Sequence, residues 1–176
     1  RIHTRPGDEL ICEAGSHTYC NETGAIAGLS GVQVRPVTGV WGMPRLQAVL
    51  AAVQDENVHH PRTSLVTLEN TNNNAGGRVL PQEEVEALGR QVHKLGLKFH
   101  LDGARLANAA VASRRSMKEL AAPFDSVSLC LSKGLGAPVG SVVAGSRDFI
   151  KEARRIRKMF GGGMVGLQFS AVAESM

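Results

Sequence analysis

The chain is 176 residues long, 43% hydrophobic and 20% charged, proportions that fit one domain with a sizeable core and exclude a disordered chain. Its net charge of +4 is concentrated in Arg154, Arg155, Arg157 and Lys158 on an expected helix; with one Trp, one Tyr and no aromatic residues set among the basic ones, this reads as a solvated face and not as a nucleic-acid surface. No run is long enough to cross a bilayer, the opening RIHTRPGDEL is not a signal peptide, and three cysteines, of which at least one is unpaired, suit a reducing, cytoplasmic compartment.

Arg5-Pro6-Gly7-Asp8 predicts a turn and 9–13 a short strand. His17 follows among small residues, where a half-exposed loop histidine is the simplest expectation and stacking on a flat ring or bonding a substrate is the functional one. The glycine-rich stretch 21–31 predicts a short helix, and 32–37 alternates as a strand that stops at proline. Pro44 is placed to open a helix that runs to about 56, with Leu46, Val49, Leu50 and Val53 on one face. His59 and His60 are adjacent on an extended loop and point opposite ways, so no metal site is expected there. A strand over 64–68 ends in the polar turn 69–77. Pro81 then starts a helix over 82–95, with Val85, Leu88 and Val92 inward and Gly96 as its stop. That helix joins two strands, a βαβ unit, and small-residue helices are expected over 104–113 and 116–122.

Two stretches carry chemistry. Phe99 to Arg105, FHLDGAR, reads as a strand ending in a carboxylate, a glycine and an arginine. An Asp at such a buried end needs a cationic partner. The second stretch, SVSLCLSKGLGAPVGSVVAG over 126–145, reads as a buried strand, the polar pair Ser132-Lys133, a glycine-punctuated turn and a second strand. A lysine at the rim of a core is partly desolvated, which favours the neutral amine that Schiff-base chemistry needs. If the segment between is a crossover helix, parallel strands bring Asp102 and Lys133 to one edge of one sheet, where ligand crevices form. Ser146 caps a last helix over 147–159, broken by Gly161-Gly162-Gly163. The alternation of strand and helix predicts an α/β fold with three layers, α/β/α, and a mostly parallel sheet.

HLDGARLANA, then SLCLSKGLGAPVGS, preceded by LENTNN and followed by RKMFGGGM, resembles the low-specificity L-threonine aldolases, pyridoxal-phosphate (PLP) enzymes of aspartate-aminotransferase-like fold. The resemblance runs from about Arg5 to Met164. It implies a PLP-binding large domain, a small amino-acid substrate and a homo-oligomer, with no nucleic-acid or membrane partner. By the same resemblance, PLP is held by Lys133, Asp102, His17, Ser132 and Lys158. Lys133 attaches to it, Asp102 keeps its ring nitrogen protonated, and His17 stacks on the ring. Arg105 matches the family arginine that grips the substrate carboxylate, a task that suits a guanidinium fork. His17 or His59, directly or through a water, would take the β-hydroxyl proton as threonine or allo-threonine is split into glycine and an aldehyde.

The chain departs from the family at several places. Asn72 stands where many members carry histidine, in a longer loop, and Val165 stands where an arginine is usual. The N-terminal phosphate loop and the C-terminal domain of the family have no counterpart. The expected organisation is therefore a partial large domain over 1–164 with a divergent tail over 165–176, as in a truncated product. Two other functions stay open: another PLP enzyme of the same fold, a β-eliminating lyase or aminotransferase, and a non-catalytic remnant acting through interactions.

Overall fold

The computed structural model describes residues 1–163, so the segment 165–176 lies outside it. Its strands in chain order are β1 (Glu9–Glu13), β2 (Gln33–Val37), β3 (Gly39–Val40), β4 (Met43–Pro44), β5 (Thr63–Glu69), β6 (Lys98–Asp102), β7 (Ser126–Cys130) and β8 (Ser141–Gly145). The helices are α1 (His17–Cys20), α2 (Ala25–Ser30), α3 (Leu46–Ala52), α4 (Gln82–Lys94), α5 (Leu106–Ser113), α6 (Met117–Ala121) and α7 (Arg147–Met159). The main sheet has the order β2-β1-β5-β6-β7-β8, parallel throughout except for β8, which runs against β7. Helical crossovers join the parallel strands, so their carboxyl ends gather on a single edge.

Alternation along each strand divides the sheet into two faces. On one, Ile11, Val66, Leu68 and Phe99 pack against Val49 of α3 and Val85, Leu88 and Val92 of α4. That cluster continues into Leu101 with Leu106 and Ala109 of α5 and Leu120 of α6. The other face buries Leu10, Cys12 and Leu65 beneath α2, with Ile26 packed against them. The expected α/β/α layering is what forms. Helix caps follow their sequence signals, for Ser116 and Glu119 complete a capping box on α6 and Ser146 caps α7.

Several boundaries differ from expectation. Pro44 does not open α3, because it is drawn into a small hairpin whose turn, Trp41-Gly42, takes positive φ at both residues. The helix also ends earlier, at Ala52. The β7 strand is not covered on both faces: only Ser126 is buried, and the rest is half-buried, since its outer neighbour β8 is an exposed antiparallel edge.

Beside β7, His3 Nε2 and His100 Nδ1 each meet Ser126 Oγ at 2.7 Å, and His3 stacks on Phe149 with ring centroids 4.7 Å apart. Burial pushes the His100 imidazole down to about 4, and neighbouring His3 adds to the effect. His3 is lowered as well, again chiefly by burial. Both rings are neutral in the folded chain near pH 7, so the unfolded chain takes up protons first as pH falls. Stability is therefore expected to decline as pH drops from about 6.5 toward 4. Thermal midpoints across that window check this, and His100→Gln is expected to flatten the slope.

Candidate active site

The carboxyl edge of the sheet is built strand by strand. Asp102 ends β6 and faces Ser128 of β7 in parallel register. The ladder continues past it, with the Gly103 N–H donating to Ser128 O at 2.8 Å and the Asn70 N–H to Asp102 O at 2.9 Å. A side chain at Gly103 would put its Cβ 2.8 Å from Ser128 O, so this close approach of β6 to β7 requires glycine. Leu131, Ser132 and Lys133 follow the last residue of β7 on the same edge. Their turn is closed by hydrogen bonds from Leu131 N to Gly140 O (2.9 Å), Ala137 N to Leu131 O (3.0 Å) and Gly136 N to Lys133 O (3.0 Å). Gly134 lies against Asn108 of α5 so tightly that a Cβ would collide with its amide. The Asp102 end of this segment is thus tied to Asn70 and Ser128, and the Lys133 end to its own turn and to α5.

His17 reaches this edge from β1. It is the first residue of α1 and half-buried, and its backbone N–H donates to Glu69 Oε2 at 2.8 Å. Its Nδ1 lies 2.9 Å from the carboxylate of Glu22. Arg105 is half-buried at the entry to α5, three positions after Asp102. The arrangement therefore brings Asp102, Arg105, Ser132, Lys133 and His17 to one edge.

Two sequence expectations are corrected here. Lys133 is exposed, not partly buried, because it stands past the end of β7 in a turn whose residues 132–136 are all exposed. His59 is not brought to this edge by its own chain. It lies in the exposed loop before Thr63, the first residue of β5, and that strand runs from there toward Glu69 at the carboxyl edge. Its loop is closed at that far end, where the Gln54 N–H donates to Thr63 Oγ1 at 3.0 Å. Lys158 is exposed near the end of α7, its Nζ 3.2 Å from Gly163 O.

One oxygen of the Asp102 carboxylate takes no hydrogen bond from the described residues. The other, Oδ1, accepts the Ala104 N–H at 3.1 Å, and among the described residues no basic side chain forms an ion pair with the carboxylate. A half-buried acid in that state suits a protonated ring nitrogen as its partner. Glu69 was not foreseen from sequence. It is 3% exposed and spends both oxygens on backbone N–H groups, from His17 and from Asn73 (2.9 Å). The available signal was an acid closing β5 just as Asp102 closes β6. No described helix is long and apolar enough to cross a membrane.

The chain is similar to known proteins in sequence and in fold. The sequence pattern of the family described as Beta-eliminating lyase matches residues 1–174. Low-specificity L-threonine aldolase 1 of Arabidopsis thaliana is 44% identical over 161 residues, covering 90% of this chain and 45% of its own length. The low specificity L-threonine aldolase of Escherichia coli strain K12 is 42% identical over 163 residues, covering 92% and 48%. Among solved structures, the threonine aldolase of Leishmania major superposes with a TM-score of 0.81 at 26% identity, covering 91% of this chain and 47% of that one. The chain thus spans under half the length of these relatives. With nearly all of its residues matched by the family pattern, the chain belongs to the beta-eliminating lyase family.

Proposed function

We propose that this chain carries the cofactor edge of a PLP-dependent aldehyde-lyase, which cleaves L-threonine or L-allo-threonine, as β-hydroxy-α-amino acids, into glycine and an aldehyde. The observation that supports this most is the parallel register of β6 and β7, which delivers Asp102 and Lys133 to one edge. That relatives 42% and 44% identical are L-threonine aldolases supports the choice of substrate. When bound, PLP supplies an electron sink for the charge left on Cα.

In this scheme Lys133 and Ser132 would hold the cofactor at its aldehyde, and the Asp102 carboxylate would favour the protonated form of its ring nitrogen. Arg105 grips the substrate carboxylate and so decides which Cα bond is aligned for cleavage. Lys158 adds a cation for the phosphate. His17, the histidine at the carboxyl edge, would lie against the cofactor and would also be the base for the β-hydroxyl proton, with its Nδ1 engaged by Glu22. His59 enters only from a second copy, which the homo-oligomer of the scheme would provide. Three free thiols, one of them buried, support a cytoplasmic site of action.

The family to which the chain belongs favours one second reading, β-elimination. Product analysis separates the two: L-threonine should yield equal glycine and acetaldehyde, whereas L-serine in the elimination reading would yield pyruvate and ammonia. The same assay tests Asp102. Asp102→Asn removes the charge that holds the ring nitrogen protonated, so kcat is expected to fall about 10²–10³-fold, the scale of a lost electrostatic contact in the transition state. Unchanged turnover in that variant would refute the role given to Asp102.

A further inference from the structure

Glu69 closes β5 as Asp102 closes β6, and the two are register partners. Their carboxylates are used differently. Asp102 is half-buried and takes one N–H, whereas Glu69 is 3% exposed and has Oε2 on the His17 N–H and Oε1 on the Asn73 N–H. Among the described residues no Lys, Arg or His side chain pairs with Glu69. A carboxylate buried this deeply needs compensation, and bonds from N–H groups to an ionised oxygen are the strong kind.

The gripped segment cannot hold itself. Helix α1 is one turn of four residues, too short to be stable alone. Upstream, Glu13 Oε2 accepts the Gly15 N–H at 2.7 Å, so the path from β1 to His17 is pinned by acids at two successive points. Glu69 is the pin at His17 itself, and it reaches across from a neighbouring strand.

We propose that Glu69 is a positioning residue, which fixes the backbone of His17, and with it the height of the imidazole above the site, while tying that position to the loop at Asn73. The proposal rests on the functional reading above in one respect, that His17 faces the cofactor. It does not require Glu69 to touch any ligand.

The test uses the whole chain. In amide hydrogen exchange without cofactor, the His17 and Asn73 N–H groups are expected to be protected in the unaltered chain. In Glu69→Gln at least one of them should exchange about tenfold faster, because the single amide oxygen can accept from only one of them. Equal rates in the two chains would overturn the clamp. Titration with pyridoxal phosphate then forms a four-variant cycle with His17→Ala. Glu69→Gln is expected to weaken binding about tenfold beside His17 and by less than about twofold in the His17→Ala background. The same loss in both backgrounds would place the action of Glu69 on the fold and overturn the positioning role. Glu69→Asp keeps the charge but shortens the reach. It is expected to show a smaller loss with the same dependence on His17, and it takes the place of Glu69→Gln should that variant not fold. If the unaltered chain takes up no cofactor, the functional reading fails, while the exchange rates still decide the clamp.

Discussion

Lys133→Ala is expected to abolish both the lysine-dependent visible absorbance band of the chain with PLP and the release of glycine from L-threonine. The expectation follows from where the lysine is placed. It stands on a closed turn, fixed by three backbone hydrogen bonds and by the contact of Gly134 with Asn108, at the edge that also carries Asp102. Other lysines are placed differently: Lys98 begins β6 at the far edge and pairs with Asp125 at 2.9 Å, and Lys158 lies near the end of α7. Being exposed, Lys133 can be replaced with little cost to the fold, since surface substitutions away from special features stay within about 0.5 kcal/mol. Loss of function with an unchanged melting temperature is therefore the expected pattern. A band of equal strength in Lys133→Ala would mean that another amine does the work.

Phe99→Ala is expected to cost about 3–5 kcal/mol of stability, the range for emptying a buried aromatic site. Phe99 is fully buried at the centre of the larger core cluster, stacks on Phe124 with centroids 4.2 Å apart, and meets His93 edge-on at 6.4 Å. Gly89 of α4 packs directly on its ring, where a Cβ would lie 3.2 Å away, so the helix cannot move in to fill the space without displacing backbone elsewhere. Its backbone is also committed, donating to Asp125 Oδ2 and accepting from Asp125 N, each at 2.8 Å. Against a typical total of about 5–15 kcal/mol, the loss would leave the strand that carries Asp102 poorly held. Denaturant midpoints measure it, and a loss below about 1 kcal/mol would contradict the packing described.

Much of the fold could be read from residue pattern because pattern and packing agreed. The strand over 9–13 forms after its predicted turn, and the helix over 147–159 forms behind its predicted Ser146 cap. Asp102 and Lys133 could be placed on one edge because parallel strands joined by crossovers leave no other choice of direction. What was missed depends on contacts distant in sequence. The hairpin at Trp41-Gly42 has strands of two residues each, too short to show a period, and it took Pro44 from the helix it was expected to open. The burial of β7 was overestimated because its apolar run looked like a strand covered on both faces, whereas only Ser126 is buried. His59 was joined to the site by resemblance alone; within one chain, the direction of β5 puts it at the opposite edge. Glu69 looked like the start of a polar turn, because its partners, His17 and Asn73, become neighbours only once β1 and β5 pair.

The account stands on Lys133 being the amine that the cofactor finds at the carboxyl edge. Incubating the chain with PLP, reducing with borohydride and mapping the modified lysine by mass spectrometry tests this directly. The predicted result is one pyridoxyl group, on Lys133 alone, with Asp102→Asn retaining the site at lower occupancy. Modification spread over Lys98, Lys118, Lys151 and Lys158 with no preference for Lys133 would contradict it.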